Sequence, residues 1–262
     1  MVVAHGLNYL YSISGFIVGL LVGFTGVGGG SLMTPLLVLL FGFSPSVAVG
    51  TDLLYASITK ASGTAVHSFN GTIDWRIVRR LASGSLPATF LTLFGLHYFG
   101  IKSPGTASVI TTILGFALIL TAASLLLRKT LAAHFSRFME TVADEQIHVL
   151  TVVLGAFLGF LVSITSVGAG AIGATILILL YPKLPTARIV GSDIAHAVPL
   201  TLIAGLGHWF LGSVDWFLLL SLLIGSIPGI IIGSQFAVYV PDRLLRTVLA
   251  GTLVLIGARL AI

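Results

Sequence analysis

Four ionisable residues stand inside long apolar runs: Asp52, Lys60, Asp193 and His196. Such groups are costly in apolar surroundings, which makes these four candidates for ion coupling or gating. Asp52 and Lys60 share the run "VGTDLLYASITKASGTAV", and Asp193 and His196 share "VGSDIAHAVPLTLIAG". By helical rise, Asp52 lies roughly 9 Å along a helix entering from one face. Asp193 lies roughly 10 Å along a helix entering from the other. Lys60 then lies ~21 Å from the first face, level with Asp193. A bare buried ammonium is too costly, so Lys60 needs a partner, and by depth that partner is Asp193. Plainer roles also exist: N-capping for the aspartates, a core histidine for His196, and a static pair or snorkelling for Lys60.

The glycine stretch "GFTGVGGG" (23–30) lies between apolar segments and opens a short one at Ser31. No Gly-Lys-Ser/Thr follows it and no soluble strand precedes it, so it is neither a phosphate loop of the Walker type nor a dinucleotide fingerprint. Successive glycines let a backbone unwind and expose N–H groups, and a helix beginning there offers the positive end of its dipole to an anion. Thr25, Gly26, Gly28, Gly29, Gly30 and Ser31 form this candidate binding set. Thr165, Ser166, Gly168 and Gly170, in "TSVGAG", form a second. The plainer alternative is close helix packing, as expected at Gly15, Gly19 and Gly23.

The elements that must carry these groups follow from composition. The 262 residues are 56% hydrophobic and 8% charged, against about a quarter charged in a soluble domain. The apolar surplus must face lipid, giving an all-α polytopic protein of the cell membrane, with a bacterial inner membrane expected. The net charge of +5 reads as basic cytoplasmic loops rather than nucleic-acid binding. Absence of cysteine excludes disulfide scaffolds and thiolate chemistry. No metal or cofactor is called for. The start "MVVAHGLNYLYS" lacks the basic residues of a cleaved signal, so the first apolar run is expected to stay.

Ten apolar segments are predicted, at about 7–24, 30–42, 46–69, 76–100, 105–127, 148–166, 170–181, 186–211, 216–239 and 244–261. They form one transporter-like membrane domain over 1–262, with repeats at 7–127 and 148–261 joined by a cytoplasmic loop or surface helix at 128–147. The duplication is visible in "VGTD" (49–52) and "VGSD" (190–193), in "GSLP" (84–87) and "GSIP" (225–228), and in "HSFNGTIDW" (67–75) and "HWFLGSVDW" (208–216), all 141 residues apart. In the last pair, Asp74 and Asp215 read as N-caps and Trp75 and Trp216 as interfacial anchors. His67 and His208 are expected at headgroup level.

Each half makes an odd number of crossings, the first two segments forming a broken or re-entrant pair, so the second half inserts upside down. With the loop after residue 69 in the cytoplasm, Arg76, Arg79, Arg80, Arg128, Lys129, Arg137, Lys183, Arg188, Arg243 and Arg246 lie inside. Only Lys102 and Arg259 lie outside, as the positive-inside rule favours. Both termini are then outside.

The runs "GFTGVGGGSLMTPLL", "AVGTDLL", "HSFNGTIDW" and "VGSDIAHAVPLTLIAGLGHWFLGSVDW", followed by "GSIPG", resemble the sulfite exporter TauE/SafE family, also called the toluene-sulfonate uptake permease family. The resemblance covers nearly the whole chain. It implies a non-enzymatic membrane transporter of sulfite, sulfonates or other small organic anions, and it carries over directly to Gly26, Gly28, Gly29, Gly30 and Ser31. In the second half Ser166, Ala169 and Ala171 replace Gly26, Gly29 and Ser31, so equal substrate binding by both halves is not implied. With no nucleotide-binding domain recognised, an ion gradient or the anion's own gradient must drive movement, and proton coupling is one such mode. The rival readings are a passive anion channel and an intramembrane aspartyl protease. The latter needs its two carboxylates within hydrogen-bonding distance, which aspartates entering from opposite faces do not satisfy. The partners expected are a small anion and the lipid bilayer; substrate identity and oligomeric state are left open by the sequence.

Overall fold

A computed structural model describes residues 9–25, 30–139, 141–236 and 242–261. Ten α-helices run through them: α1 (Tyr9–Thr25), α2 (Gly30–Leu39), α3 (Pro45–Phe69), α4 (Trp75–Phe99), α5 (Pro104–Met139), α6 (Asp144–Thr165), α7 (Ile172–Leu180), α8 (Thr186–Phe210), α9 (Trp216–Phe236) and α10 (Asp242–Ala261). Pro104–Phe135, Asp144–Thr165, Thr186–Phe210 and Trp216–Gly233 are long and apolar enough to cross a membrane, and Tyr9–Phe24 is a shorter apolar helix. Large apolar side chains line the outer surface, among them Phe90, Phe94, Phe116 and Leu255, as a multi-pass membrane protein requires. The connecting stretch differs from a loop. α5 continues to Met139 and spans 36 residues, or about 54 Å, so its last turns run beyond a hydrocarbon core of ~30 Å.

Turn chemistry sets the starts of α4 and α9. Asp74 caps α4, its side chain accepting from the Arg76 N–H at 3.0 Å. Asp215 accepts from the Leu218 N–H at 3.0 Å in the same way. Gly71 and Gly212 hold the preceding turns at positive φ, 63° and 71°, where a Cβ would be strained.

The short helices are the returning limbs of two hairpins. The Thr151 and Tyr181 hydroxyls lie 2.8 Å apart, joining α6 near its start to the residue after α7. In the other half the Tyr11 ring meets Phe41 edge-on at 4.9 Å, joining α1 to the end of α2. Each chain segment therefore goes back toward the face it left. The nine residues of α7 rise only ~14 Å, about half of a ~30 Å hydrocarbon core, so α7 alone is too short to cross it.

Packing pairs the elements across the two halves. α1 lies along α9, and α4 lies along α6. Each pairing becomes the other when every helix is replaced by the one five places on. Between apolar helices in lipid, packing rather than the hydrophobic effect drives association, and small residues permit it. A Cβ at Gly155 or Gly159 would strike the Leu81 or Ser85 carbonyl oxygen. A Cβ at Gly15 or Gly19 would strike that of Leu222 or Ser226, the residues 141 positions beyond Leu81 and Ser85.

α3 and α8 cross antiparallel, start against end, and here the repeated motifs interlock. The Asp74 backbone N–H donates to the Ser192 hydroxyl at 2.8 Å, and the Asp215 N–H donates to the Thr51 hydroxyl at 3.0 Å. Gly50 lies against the Ser213 carbonyl, and Gly191 against the Thr72 carbonyl and the His67 ring. Each Val-Gly-(Thr/Ser)-Asp thus clamps the His-x-x-x-Gly-x-x-Asp-Trp turn of the other half.

The packing is tested by two alanines. Gly155→Ala is expected to lower stability by about 1–3 kcal/mol through overpacking. Gly251, whose Cβ would meet open space, is expected to tolerate Ala or gain up to ~1 kcal/mol from helix propensity. Thermal unfolding in detergent compares the two, and equal Tm values would refute the close α4–α6 contact.

Candidate functional site

The second break is a turn assembled from its own side chains. Ser166 adopts a left-handed conformation at φ 60°, and Gly168 and Gly170 stand at φ 121° and 115°. The Thr165 hydroxyl donates to the Leu161 carbonyl at 2.7 Å and accepts from the Val167 N–H at 3.1 Å. The Ile172 and Gly173 N–H groups both turn back to the Gly168 carbonyl, at 3.1 and 3.2 Å. The N–H groups of Gly168, Ala169 and Ala171 find no acceptor among the described residues. Such a run of free N–H groups ahead of a helix is an anion-binding arrangement.

An anion already faces it, and it belongs to the protein. Asp193 is 1% exposed. Its carboxylate lies against Gly173, so close that a Cβ there would collide with Oδ1, and it faces the Gly170 N–H. Neither carboxylate oxygen closes a hydrogen bond. The positive end of α7 thus holds a side-chain carboxylate at the place expected for a substrate.

Lys60 corrects the expected ion pair. Its ammonium donates to the Ala169 carbonyl at 3.1 Å, inside the break. Among the described residues, no ion pair within 4.0 Å joins it to Asp193; Arg188–Asp74 is such a pair. Asp193 and Asp52 nonetheless both lie within Coulombic reach of the ammonium. Depth placed Lys60 correctly, but the partner is a main-chain oxygen exposed by the unwound turn.

The first half handles its aspartate differently. Asp52, 0% exposed, accepts a short hydrogen bond from the Thr34 hydroxyl of α2. Its other oxygen is unpartnered, with Ser166 of the second break close by. The counterpart of Thr34 is Ala174, which cannot donate, and the counterpart of Met33 is Gly173. Ser31, the anion-site hydroxyl proposed for this half, is buried on α2. Thr25 ends α1 and Gly30 begins α2, while Gly26, Gly28 and Gly29 lie outside the described residues.

One turn beyond each aspartate stands a second polar residue. The His196 Nε2 bonds to the Ser85 hydroxyl at 2.8 Å, and its Nδ1 is buried without a partner. At the equivalent place Tyr55 turns toward Ser226, though neither hydroxyl closes a hydrogen bond. Ser85 and Ser226 are the serines of "GSLP" and "GSIP", whose inward role the sequence did not reveal. The Asp52 oxygen, Tyr55, Ser166, Asp193, His196 and Ser226 supply most of the buried polar atoms left without partners among the described residues. Buried polar groups are normally satisfied, so such a concentration marks a place for water, an ion or a substrate. The two carboxylates are not hydrogen-bonded to each other, which fits no aspartyl-protease dyad.

The halves also differ in access. Lys60, Gly63 and Thr64 are partly accessible, and Ala61, Ser62 and Ala65 are exposed. On α8 the equivalent Thr201, Ala204 and Gly205 are buried, although Leu202, the counterpart of Ala61, is exposed. A cleft of about 680 Å³ between α4, α5 and α6 lies elsewhere, lined by Leu91, Phe99, Val109 and Phe160 among others; it contains no ionisable side chain. His208, in the last turn of α8, is fully buried within the protein, bonding the Ser163 carbonyl at 2.9 Å, whereas His67 meets Thr72 at 2.8 Å.

The sequence profile described as "Sulfite exporter TauE/SafE" matches residues 11–260. The chain belongs to this family. Its relatives include the probable membrane transporter protein YjnA of Bacillus subtilis, 40% identical over 95% of this chain and 97% of that protein. YdhB of the same organism, also a probable membrane transporter protein, is 26% identical over 88% of this chain and 91% of its own. The probable membrane transporter protein MJ0441 of Methanocaldococcus jannaschii is 27% identical over 80% and 74%. No solved structure matches. The protein is therefore a membrane transporter of the TauE/SafE family.

For this family member the fit of Asp193 to α7 is directly testable. Alanine normally improves a helical glycine position, yet Gly173→Ala places a methyl on the carboxylate and is expected to cost about 1–3 kcal/mol. In an Asp193→Ala background the same change is expected to cost little, because the colliding group is gone. Equal penalties in both backgrounds, read by thermal unfolding, would remove Asp193 from the N-terminus of α7.

Proposed function

We propose that this chain is a proton-coupled secondary transporter of a small oxyanion such as sulfite or an organosulfonate, built from two inverted repeats. The supporting observation is the Asp193 carboxylate at the free N–H groups of the second break. A substrate oxyanion seeking those donors meets a like charge at close quarters in a low-dielectric site, and the two repel strongly. A proton on Asp193 removes the repulsion and frees the helix end. The charged and titratable groups around Asp193 are Lys60 and Asp52 on α3, His196 on α8 and Arg128 on α5. With one ammonium and two carboxylates at its centre, the cluster favours the anion more strongly once protonated.

The inverted reading rests on the antiparallel crossing of α3 with α8 and on the exchangeable pairings α1–α9 and α4–α6. With the turn after α3 in the cytoplasm, the accessible half of α3 faces inward and the buried half of α8 closes the outside. Lys60 serves as the coupling or gating cation in the accessible path.

Sulfite flux in proteoliposomes tests the coupling. An acid pH on the side holding sulfite is expected to speed its transfer, by up to about tenfold per pH unit for one linked proton. A protonophore abolishes the drive, and Asp193→Asn keeps exchange but loses the pH response. Flux indifferent to the proton gradient would favour the passive channel.

The topology has its own test, made clean by the absence of cysteine. Phe69 and Phe210 are 91% and 82% exposed and occupy equivalent places. Cysteines there are expected to react with an impermeant thiol reagent from opposite sides of the membrane. Labelling of both from one side would eliminate inversion.

A further inference from the structure

The sequence asks why a lysine has no basic counterpart in the other repeat, and the structure offers a chemical answer. Lys60 places its ammonium 3.1 Å from the Ala169 carbonyl. That carbonyl belongs to an unwound turn between Gly168 and Gly170, both at positive φ. The Asp193 carboxylate, buried and without a hydrogen bond, faces the same turn. A main-chain carbonyl and a carboxylate together are hard oxygen donors, the kind that hold small cations. In broken-helix transporters, unwound carbonyls are where a coupling cation is coordinated.

We propose that the Lys60 ammonium is a tethered cation seated at a small monovalent-cation site on the Ala169 carbonyl, with the Asp193 carboxylate beyond direct contact supplying the compensating charge. The amine supplies the positive charge that a free Na⁺ would otherwise bring. Because it is covalently held, it needs no ion from solution and excludes one while seated. The other half shows what happens without it. Thr201 stands at the position of Lys60 and bonds its own helix, donating to the Ala197 carbonyl at 2.8 Å. There one oxygen of the aspartate is held by a neutral hydroxyl, that of Thr34. The second half has no such hydroxyl, since Ala174 replaces it, and Asp193 depends on charge instead. The wild-type protein is thus indifferent to Na⁺, and a chain without the amine acquires a vacant site for it.

The experiment measures thermal unfolding of the purified full chain in NaCl, ammonium chloride or choline chloride at matched ionic strength. Wild type is expected to give one Tm in all three. Lys60→Ala is expected to gain a saturable rise in Na⁺ or ammonium over choline, of roughly 4 °C at about ten times the dissociation constant. Adding Asp193→Asn to Lys60→Ala is expected to abolish that rise. Lys60→Gln, which keeps more of the side-chain volume, carries the test if the alanine variant does not fold. A folded Lys60 variant with the same Tm in all three salts overturns the proposal, as does a wild type that responds like the variant. The site rests on the transport reading only for its role in coupling; binding is read by Tm, so a failed flux assay leaves this result intact. Conversely, proton-driven sulfite flux with no cation response in the variants would sustain the transport reading and discard the tethered cation.

Discussion

The molecule depends on one contact made twice: the start of α3 or α8 clamps the turn that follows the other. Thr51 and Ser192 each accept a backbone N–H from an aspartate that is itself capping a helix. Gly50 and Gly191 let main chain lie on main chain, since a Cβ at either would strike a carbonyl. In lipid these links matter more than apolar contact, because tails solvate leucine as well as a neighbouring helix does. The clamp fixes where α3 and α8 cross. Asp52 and Asp193, the residues next in sequence to the clamping hydroxyls, are thereby brought into the protein centre. A framework contact thus sets the position of the titratable groups.

Much of this fold was legible in the sequence, for a simple reason. Lipid-exposed helices write their limits in hydropathy, and Asp74, Gly71, Asp215 and Gly212 punctuate them with turn chemistry that needs no tertiary knowledge. The duplication was equally plain, but its purpose was not. "HSFNGTIDW" looks like a complete local unit, a turn with a cap and an anchor. That its glycine-aspartate turn is held by "VGSD" of the other half depends on a crossing that spacing within one half cannot specify. The burial of His208 is hidden in the sequence for the same cause: it stands at the end of a helix, and Gly50 of the other half covers it.

The polar centre was half legible. Rise along a helix puts Lys60 and Asp193 near one another, and the ammonium does lie within Coulombic reach of that carboxylate. Rise does not give azimuth, and a search among side chains overlooks main-chain oxygens. Only where a helix has come apart does a carbonyl become a competitor for an ammonium, as Ala169 does. The long α5 shows a related limit. Residues 128–139 carry Arg128, Lys129 and Arg137 and read as polar connection, yet their leucines and alanines are good helix formers and the helix continues.

The two halves agree in their framework and disagree around their buried aspartates. The clamping hydroxyls, the capping aspartates and the serines behind Tyr55 and His196 occur in both. The differences gather around the aspartates: Thr34 against Ala174, Met33 against Gly173, Lys60 against Thr201, Tyr55 against His196. Thr34 against Ala174 removes the neutral donor from the second aspartate, and Lys60 against Thr201 places an ammonium within its Coulombic reach. A carboxylate already held by a hydroxyl gains little from a proton. One that lacks hydrogen bonds, faces free N–H groups and feels a nearby ammonium changes its surroundings greatly when protonated. Duplication supplied two equivalent positions, and divergence left the second aspartate, on α8, without the hydroxyl partner that the first one has.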